Sequence, residues 1–378
     1  MPALSLYLHI PYCIHKCSYC DFYSVGVGQQ AIPAARYMQR LSEELQTMVT
    51  QLELRGRSLQ SIFFGGGTPS MIPAALLGTF LDTVAQTFAL PTDLEITCEA
   101  NPETLDRACL RALRAVGVNR LSIGVQSFQP RFLQFLERVH SAERAVQAVR
   151  DAFAAGFTNI NCDLIFGLPG QTRAELDDDL ARALALGTPH LSAYQLTVEP
   201  NTPLAVQLLR GAVTPIDDEA ALTAWHVVRE RLRAAGLAPY EISNFARPGF
   251  ACVHNAHYWA SGEYLGLGAG AVSRVGNRRW RRARQLPRYL AGELAIDEEE
   301  VLFPATLRFE YCMLGLRTTA GIAFADFAGR FGLPFTTAYP GVTERWCRDG
   351  WAAIHADRLA LTESGLALAD SLCAELSP

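Results

Sequence analysis

Three cysteines fall within one short run, Cys13-Ile14-His15-Lys16-Cys17-Ser18-Tyr19-Cys20, whereas the other seven of the chain's ten stand singly at 98, 109, 162, 252, 312, 347 and 373. A Cx3Cx2C run can bring three thiolates onto one metal centre. A structural zinc takes four protein ligands; with no fourth cysteine at zinc spacing, His9 or His15 would have to supply the last one. A [4Fe–4S] cluster on three cysteines instead leaves one iron with an exchangeable position. The first residues, MPALSLYLHIPYC, lack a basic segment followed by an apolar one and a cleavage site, and no apolar run approaches the ~20 residues that span a bilayer. A reducing, cytoplasmic location is therefore expected, where a tight cysteine cluster binds metal or does redox work more often than it forms disulfides.

The elements that must position these cysteines alternate in type. Strand patterns cover Ser5–Pro11, Ser61–Gly65, Leu94–Ala100, Arg120–Gln126, Thr158–Phe166 and His190–Thr197, and amphipathic helical patterns cover Ala34–Leu54, Ala74–Phe88, Leu105–Val116, Ala142–Ala155 and Arg173–Leu186. Six βα units predict an α/β fold with a parallel sheet, too few for a closed eight-stranded barrel but enough for an open one, with ligands at the carboxyl ends of the strands. The unusual residues sit in those loops: Pro11-Tyr12-Cys13, Gly65-Gly66-Gly67-Thr68-Pro69, Glu99-Ala100-Asn101-Pro102, Gln126-Ser127-Phe128 and Gly167-Leu168-Pro169-Gly170. Their convergence predicts one site.

The length of 378 residues suggests about two to three domains. A net charge of −5 argues against a general polyanion binder, so no nucleic-acid partner is expected. The stretch Arg274–Arg288 reads more simply as a solvated connector than as a site for an acidic group. From about residue 304 the pattern is helix, helix, a short strand pair near Trp351–Leu361 with Asp357-Arg358 as its turn, and a last helix from Thr362, which resembles a small winged-helix domain.

The chain resembles the radical S-adenosylmethionine (SAM) enzymes, whose hallmark is this cysteine spacing after the first strand of a partial (βα)6 barrel. In that family the open iron chelates the amino and carboxylate groups of SAM. The resemblance narrows to the oxygen-independent coproporphyrinogen III dehydrogenase group and its relatives, through LYLHIPYCIHKCSYCDFYS, FFGGGTPS, CEANPET, NRLSIGVQSF, LERVHS and NCDLIFGLPGQT. It implies a cluster on Cys13, Cys17 and Cys20, and SAM contacts from Tyr7, Tyr19, Phe22, Gly66, Gly67, Thr68, Glu99, Gln126, Arg138 and Asp163. Tyr19 could pack on adenine, Glu99 and Asp163 could accept from ribose or amino hydrogens, and Arg138 could pair with the carboxylate.

Two differences set this chain apart from the dehydrogenase. That enzyme has a fourth cysteine two residues after the last ligand, where this chain has Phe22, and it has a long extension before the cluster motif, where twelve residues precede Cys13 here. What the chain has instead, His254-Asn255-Ala256-His257-Tyr258-Trp259, is similar to the HNxxYW signature of the HemW-type heme chaperones. Under that resemblance an imidazole supplies an axial iron ligand, His254 before His257, while Asn255, Tyr258 and Trp259 border the porphyrin. The implied organisation is a radical SAM core over 1–235, a heme-side extension over 236–300 and a winged-helix-like domain over 301–378. The expected cofactors are a [4Fe–4S] cluster, SAM and heme. The expected partners are heme and heme-acceptor proteins, with peripheral contact to membrane-bound acceptors and a homodimer left open, and no dehydrogenase activity is expected.

Overall fold

In the computed structural model, which describes residues 3–377, all six expected strands form: Leu4–Ile10 (β1), Leu59–Gly66 (β2), Glu95–Ala100 (β3), Arg120–Gln126 (β4), Asn159–Phe166 (β5) and His190–Gln195 (β6). Each pairs in parallel with its successor. The connecting helices are Ala34–Gln51 (α1), Ala74–Ala85 (α2), Arg107–Ala115 (α3), Ala142–Ala154 (α4) and Arg173–Ala185 (α5). Side-chain caps start three of them: Asp106 for α3, Ser141 for α4, and Thr172 with Glu175 in a reciprocal capping box for α5. The expected helices overrun the observed ones because Leu54 and Phe88, just past α1 and α2, are buried and so prolong the apolar pattern after helical hydrogen bonding has ended.

Side chains alternate across a strand, and here the two faces differ in chemistry. Leu4, Leu6, Leu8 and Ile10, with Ile62, Phe64, Leu121, Ile123, Ile160, Cys162 and Leu191, form the core under the helices. The opposite parity is polar and also buried: Ser5, Ser61, Glu95, Thr97, Arg120, Ser122, Asn161, His190 and Ser192. These residues bond across strands. Ser5 Oγ meets Ser61 Oγ at 2.8 Å, and Asn161 Nδ2 donates to Ser122 Oγ and Ser192 Oγ, each at 2.8 Å. The concave inside of the sheet is thus a largely hydrogen-bonded polar surface, with Thr97 Oγ1 and Arg120 Nε left without partners.

Six further strands extend this sheet: Ala238–Pro239 (β7), Asn244–Ala246 (β8), Glu263–Leu267 (β9), Val272–Val275 (β10), Arg278–Arg282 (β11) and Ile296–Val301 (β12). The order is β12-β11-β10-β9-β1-β2-β3-β4-β5-β6-β8-β7, with β9 parallel to β1 and β10 to β12 antiparallel beyond it. About half of the arginine-rich stretch is therefore not a solvated connector. It forms β10 and β11, because alternate residues there meet different surroundings: Trp280 and Arg282 are buried, while Arg279 and Arg281 point the other way.

One buried carboxylate fastens this extension to α1. Glu44 accepts hydrogen bonds from Arg282 Nε at 2.5 Å, Gly268 N at 2.9 Å and Tyr289 Oη at 2.7 Å. At the carboxyl end, Pro304–Gly315, Ile322–Ala323 (β13), Phe324–Phe331, Phe335–Ala338, Val342–Arg348, Ala352–His355 (β14) and Arg358–Leu361 (β15) give the winged-helix-like order, with sheet order β13-β15-β14. The hairpin turn is Ala356-Asp357, both at positive φ, rather than Asp357-Arg358. Arg358 is drawn into the strand, where it pairs with His355 and its Nε donates to Ala320 O. Among the described residues no helix is long and apolar enough to cross a membrane.

Removing one partner of a buried ion pair strands the other. Arg282→Met is expected to destabilise the chain by about 3–5 kcal/mol in urea denaturation; a loss below about 1 kcal/mol, the range of surface pairs, would show that Glu44 does not hold the extension in place.

Candidate functional site

The run from Cys13 to Cys20 leaves the end of β1 and returns as a loop stitched by backbone bonds, Val25 N to Pro11 O at 2.7 Å and Val27 N to Cys13 O at 2.9 Å. The glycine loop after β2 lies directly against it: Gly67 N donates to Ile10 O at 2.8 Å and Thr68 N to Tyr12 O at 2.7 Å. A Cβ at Gly67 would come within 2.6 Å of Tyr12 O and 3.0 Å of Cys13 Sγ, and one at Gly66, whose φ is +109°, would strike the His9 ring. Glycine is needed here first to let two loops of the same chain touch.

Cys13, Cys17 and Cys20 line one cavity of about 420 Å³ together with Tyr19, Phe22, Gly66, Gly67, Thr68, Glu99, Gln126, Arg138 and Asp163. Every residue in that set was expected from sequence; Tyr7 alone among the expected SAM contacts lies outside it, on a neighbouring cavity. Gly66 N donates to Glu99 Oε2 at 3.0 Å. Asp163 accepts from Ser122 Oγ at 3.1 Å and Asn161 Nδ2 at 2.8 Å. Arg138 donates to Gly124 O at 2.8 Å and to Cys17 Sγ at 3.7 Å, and its buried Nε has no partner. Gln126 takes a φ of +68°, an uncommon conformation for a side-chain-bearing residue and of the kind that gathers at functional sites.

The histidines that could have completed a zinc site are otherwise engaged. His9 is buried with its Nδ1 3.1 Å from Tyr7 Oη and its Nε2 2.7 Å from Tyr23 O, and His15 pairs with Glu137 at 2.7 Å. The donor set is three thiols beside a guanidinium. Burial pushes the Cys13 thiol up and that of Cys20 to about 11; a bound metal centre would favour the thiolate forms. Among the described residues no three Cys, His, Asp or Glu side chains gather closely enough to hold a single metal ion; three thiols lining one cavity are, by their chemistry, a donor set for a multi-iron cluster.

The second cavity, about 880 Å³, shares Tyr19, Cys20, Phe22, Gly66 and Glu99 with the first and adds Tyr7, Phe63, His254, Asn255, Tyr258 and Tyr264. His254 lies on the helix Val253–Trp259 (α6). Its Nδ1 is 2.7 Å from Ser61 Oγ, its ring stacks on Phe63 at 4.7 Å and meets Tyr258 edge-on at 4.6 Å. Its Nε2 is buried with no partner. Burial lowers its pKa to about 3, so the ring is neutral, and in the tautomer that puts the proton on Nδ1 toward Ser61, Nε2 carries a free lone pair of the kind that ligates metals. His257 is not so placed, since its Nε2 is 2.7 Å from Glu263 O. Trp259 is separated from the rest of its motif: it lines a different cavity, with Tyr240 and Tyr311, because Tyr258 and Trp259 leave the helix in different directions.

The model of the Radical SAM superfamily matches residues 7–183, and that of the HemN C-terminal domain matches residues 303–368. The heme chaperone HemW of Mycobacterium tuberculosis is 38% identical over 376 residues, covering 97% of this chain and 93% of that protein. The HemW of Escherichia coli is 36% identical, with 98% and 97% covered. This chain belongs to the HemW family. Among solved structures, coproporphyrinogen III oxidase (HemN) from Escherichia coli superposes with a TM-score of 0.84 over 100% of this chain and 90% of that one, at 22% identity, which shows a shared fold.

Sequence reading missed what holds the HemW-type motif in place. Glu95, on the inner face of β3, accepts from Val253 N and His254 N, each at 3.1 Å, and from Cys252 Sγ at 3.5 Å. Arg120 Nε lies 3.9 Å from Glu95. The available signal was a glutamate and an arginine at the starts of two strands whose alternate residues are apolar.

Burial first, and the Asp163 carboxylate second, raise Glu99 to about 7 from 4.5. The folded chain therefore keeps a proton that the unfolded chain has lost, and this contribution to stability falls as pH rises from 4.5 to about 7. Glu99→Gln is expected to gain melting temperature relative to the parent progressively across that window and no further above it; a pH-independent offset would show that Glu99 does not titrate in this setting.

Proposed function

We propose that this chain is a heme chaperone, in which Cys13, Cys17 and Cys20 hold a [4Fe–4S] cluster, the surrounding strand ends hold SAM, and the adjoining cavity takes heme for delivery to acceptor proteins. The observation that carries the reading is the unpartnered Nε2 of a buried, neutral His254 on a large aromatic-walled cavity next to the cysteines. A concave cavity with aromatic walls and convergent polar groups is an ordinary form of a small-molecule site.

When bound on three thiolates, the cluster supplies an iron with one open position. The chain's own residues then have separable tasks. Arg138, between Gly124 O and Cys17 Sγ, keeps a positive charge at the cysteines and is suited to a carboxylate. Glu99, already accepting from Gly66 N, and Asp163 are suited to amino and hydroxyl hydrogens. Tyr7, Phe63 and Tyr258 offer ring faces to a macrocycle, and Ser61 orients His254. The names of the relatives also support this reading, since they are heme chaperones along nearly their whole length. The absence of a thiol at position 22 supports it over the dehydrogenase.

Titration of the purified chain with heme is expected to give a Soret band saturating near one equivalent, and His254→Ala to shift that band and weaken binding by about tenfold or more, the scale of one lost iron-ligand contact. Anaerobically reconstituted protein with SAM and a reductant is expected to make no protoporphyrinogen from coproporphyrinogen. Steady turnover without heme binding would establish the dehydrogenase instead. For the cluster, Cys17→Ala reconstituted with iron and sulfide is expected to lack the broad visible absorption of the parent; full parental absorption would remove Cys17 from the ligand set.

A further inference from the structure

The second cavity has a wall that the proposed chemistry does not use. Register places Tyr264 on β9 opposite Arg274 on β10, and Arg274 opposite Arg279 on β11. Arg279 and Arg281 are two apart and so share a face. With Arg284 just past the strand, all four arginines line the cavity that also contains His254 and Tyr258.

These four are not equivalent. Arg279 is neutralised by Glu300 and Glu310. Arg274 is buried, yet the acceptors of its guanidinium are neutral oxygens, those of Ser261 and Gly262, and no carboxylate among the described residues lies at ion-pair distance. Arg281 pairs with the largely exposed Glu298, while its buried Nε has no partner. Arg284 is exposed; its backbone N–H donates to Asp297, and its guanidinium forms no ion pair among the described residues. A buried guanidinium without a counter-ion is costly unless a ligand supplies the anion.

The rest of the cavity sharpens the polarity. Its other charged lining residues are acids, with Glu310 on Arg279 and with Asp21, Glu99 and Glu199 toward the cysteine loop. A ligand with carboxylates is repelled from that end and attracted to the arginine edge.

We infer that Arg274, Arg281 and Arg284 form a carboxylate-receiving edge that takes the propionate groups of the porphyrin, so that the macrocycle enters in one orientation with its carboxylates on β10 and β11. This inference rests on heme being the ligand of the cavity. Arg274 holds the Ser261-Gly262 backbone, so it is a poor test position. Arg281 and Arg284 touch little else.

The decisive comparison is between heme and heme dimethyl ester, which keeps the ring and iron but loses both negative charges. The parent is expected to bind heme more tightly than the ester by about tenfold or more, the scale of one charge-assisted hydrogen bond. In Arg281→Gln/Arg284→Gln that preference is expected to collapse toward unity through weaker heme binding, with ester affinity unchanged. Equal parental affinity for acid and ester, or a double variant that keeps the parental preference, would overturn the arginine edge while leaving heme binding intact. Absence of any Soret change with either compound would overturn the heme reading and this inference together. His254→Ala separates the two ends of the cavity, since it is expected to alter the spectrum yet retain the preference for the acid.

Discussion

A residue in a strand can face only one side of its sheet, and in this chain that constraint sorts the chemistry. Along β1 to β6 one parity is apolar and packs under the helices, while the other places Ser5, Ser61, Glu95, Arg120, Ser122, Asn161 and Asp163 on a single concave surface. A slip of one residue would exchange the two sets and bury the leucines of β1 inside the site. The candidate residues therefore depend on the register. Asp163 faces the cavity because Ile160, Cys162 and Leu164 face the helices, and Ser61 meets His254 because Ile62 and Phe64 are in the core.

Glu95 shows how the same surface reaches beyond the six βα units. Its carboxylate takes the first backbone donors of α6, with Arg120 behind it, so the helix that bears His254 is pinned to the floor of the radical SAM sheet. Glu44 performs a comparable function at the other edge, joining α1 to Gly268, Arg282 and Tyr289. Both contacts hold the second cavity at a fixed place against the first. Since Tyr19, Cys20, Phe22, Gly66 and Glu99 border both cavities, a change in the cysteine loop has a short physical path to the second cavity.

Local patterns made the six units legible, together with the loops at their ends and the cysteine, glycine and acidic residues gathered there. What remained hidden was long-range. The polar parity of β3 to β5 was masked because Leu94–Ala100 and Arg120–Gln126 read simply as strands, and the partners of Glu95 lie some 157 to 159 residues away. The stretch Arg274–Arg288 was misread because charge alone cannot distinguish a solvated loop from a strand whose alternate residues enter a buried ion pair and a cavity. Trp259 was grouped with Tyr258 through the shared HNxxYW signature, though the two line different cavities. The turn at Ala356-Asp357 was displaced by one residue because Asp-Arg looks more turn-like than Ala-Asp, while the backbone is decided by which residue the ladder requires.

The likeness to coproporphyrinogen III oxidase extends along nearly the whole fold, so the fold cannot be what separates a chaperone from an enzyme. Side chains at the shared wall are one place where the two can differ. Phe22 is 66% exposed there and borders both cavities, so its identity has no bearing on the core and can change without cost to the sheet. A thiol at this point would add a reactive group between cluster loop and ligand cavity. A phenyl ring adds only an apolar surface. One exposed position can thus change the chemistry of this wall while the buried register is left untouched.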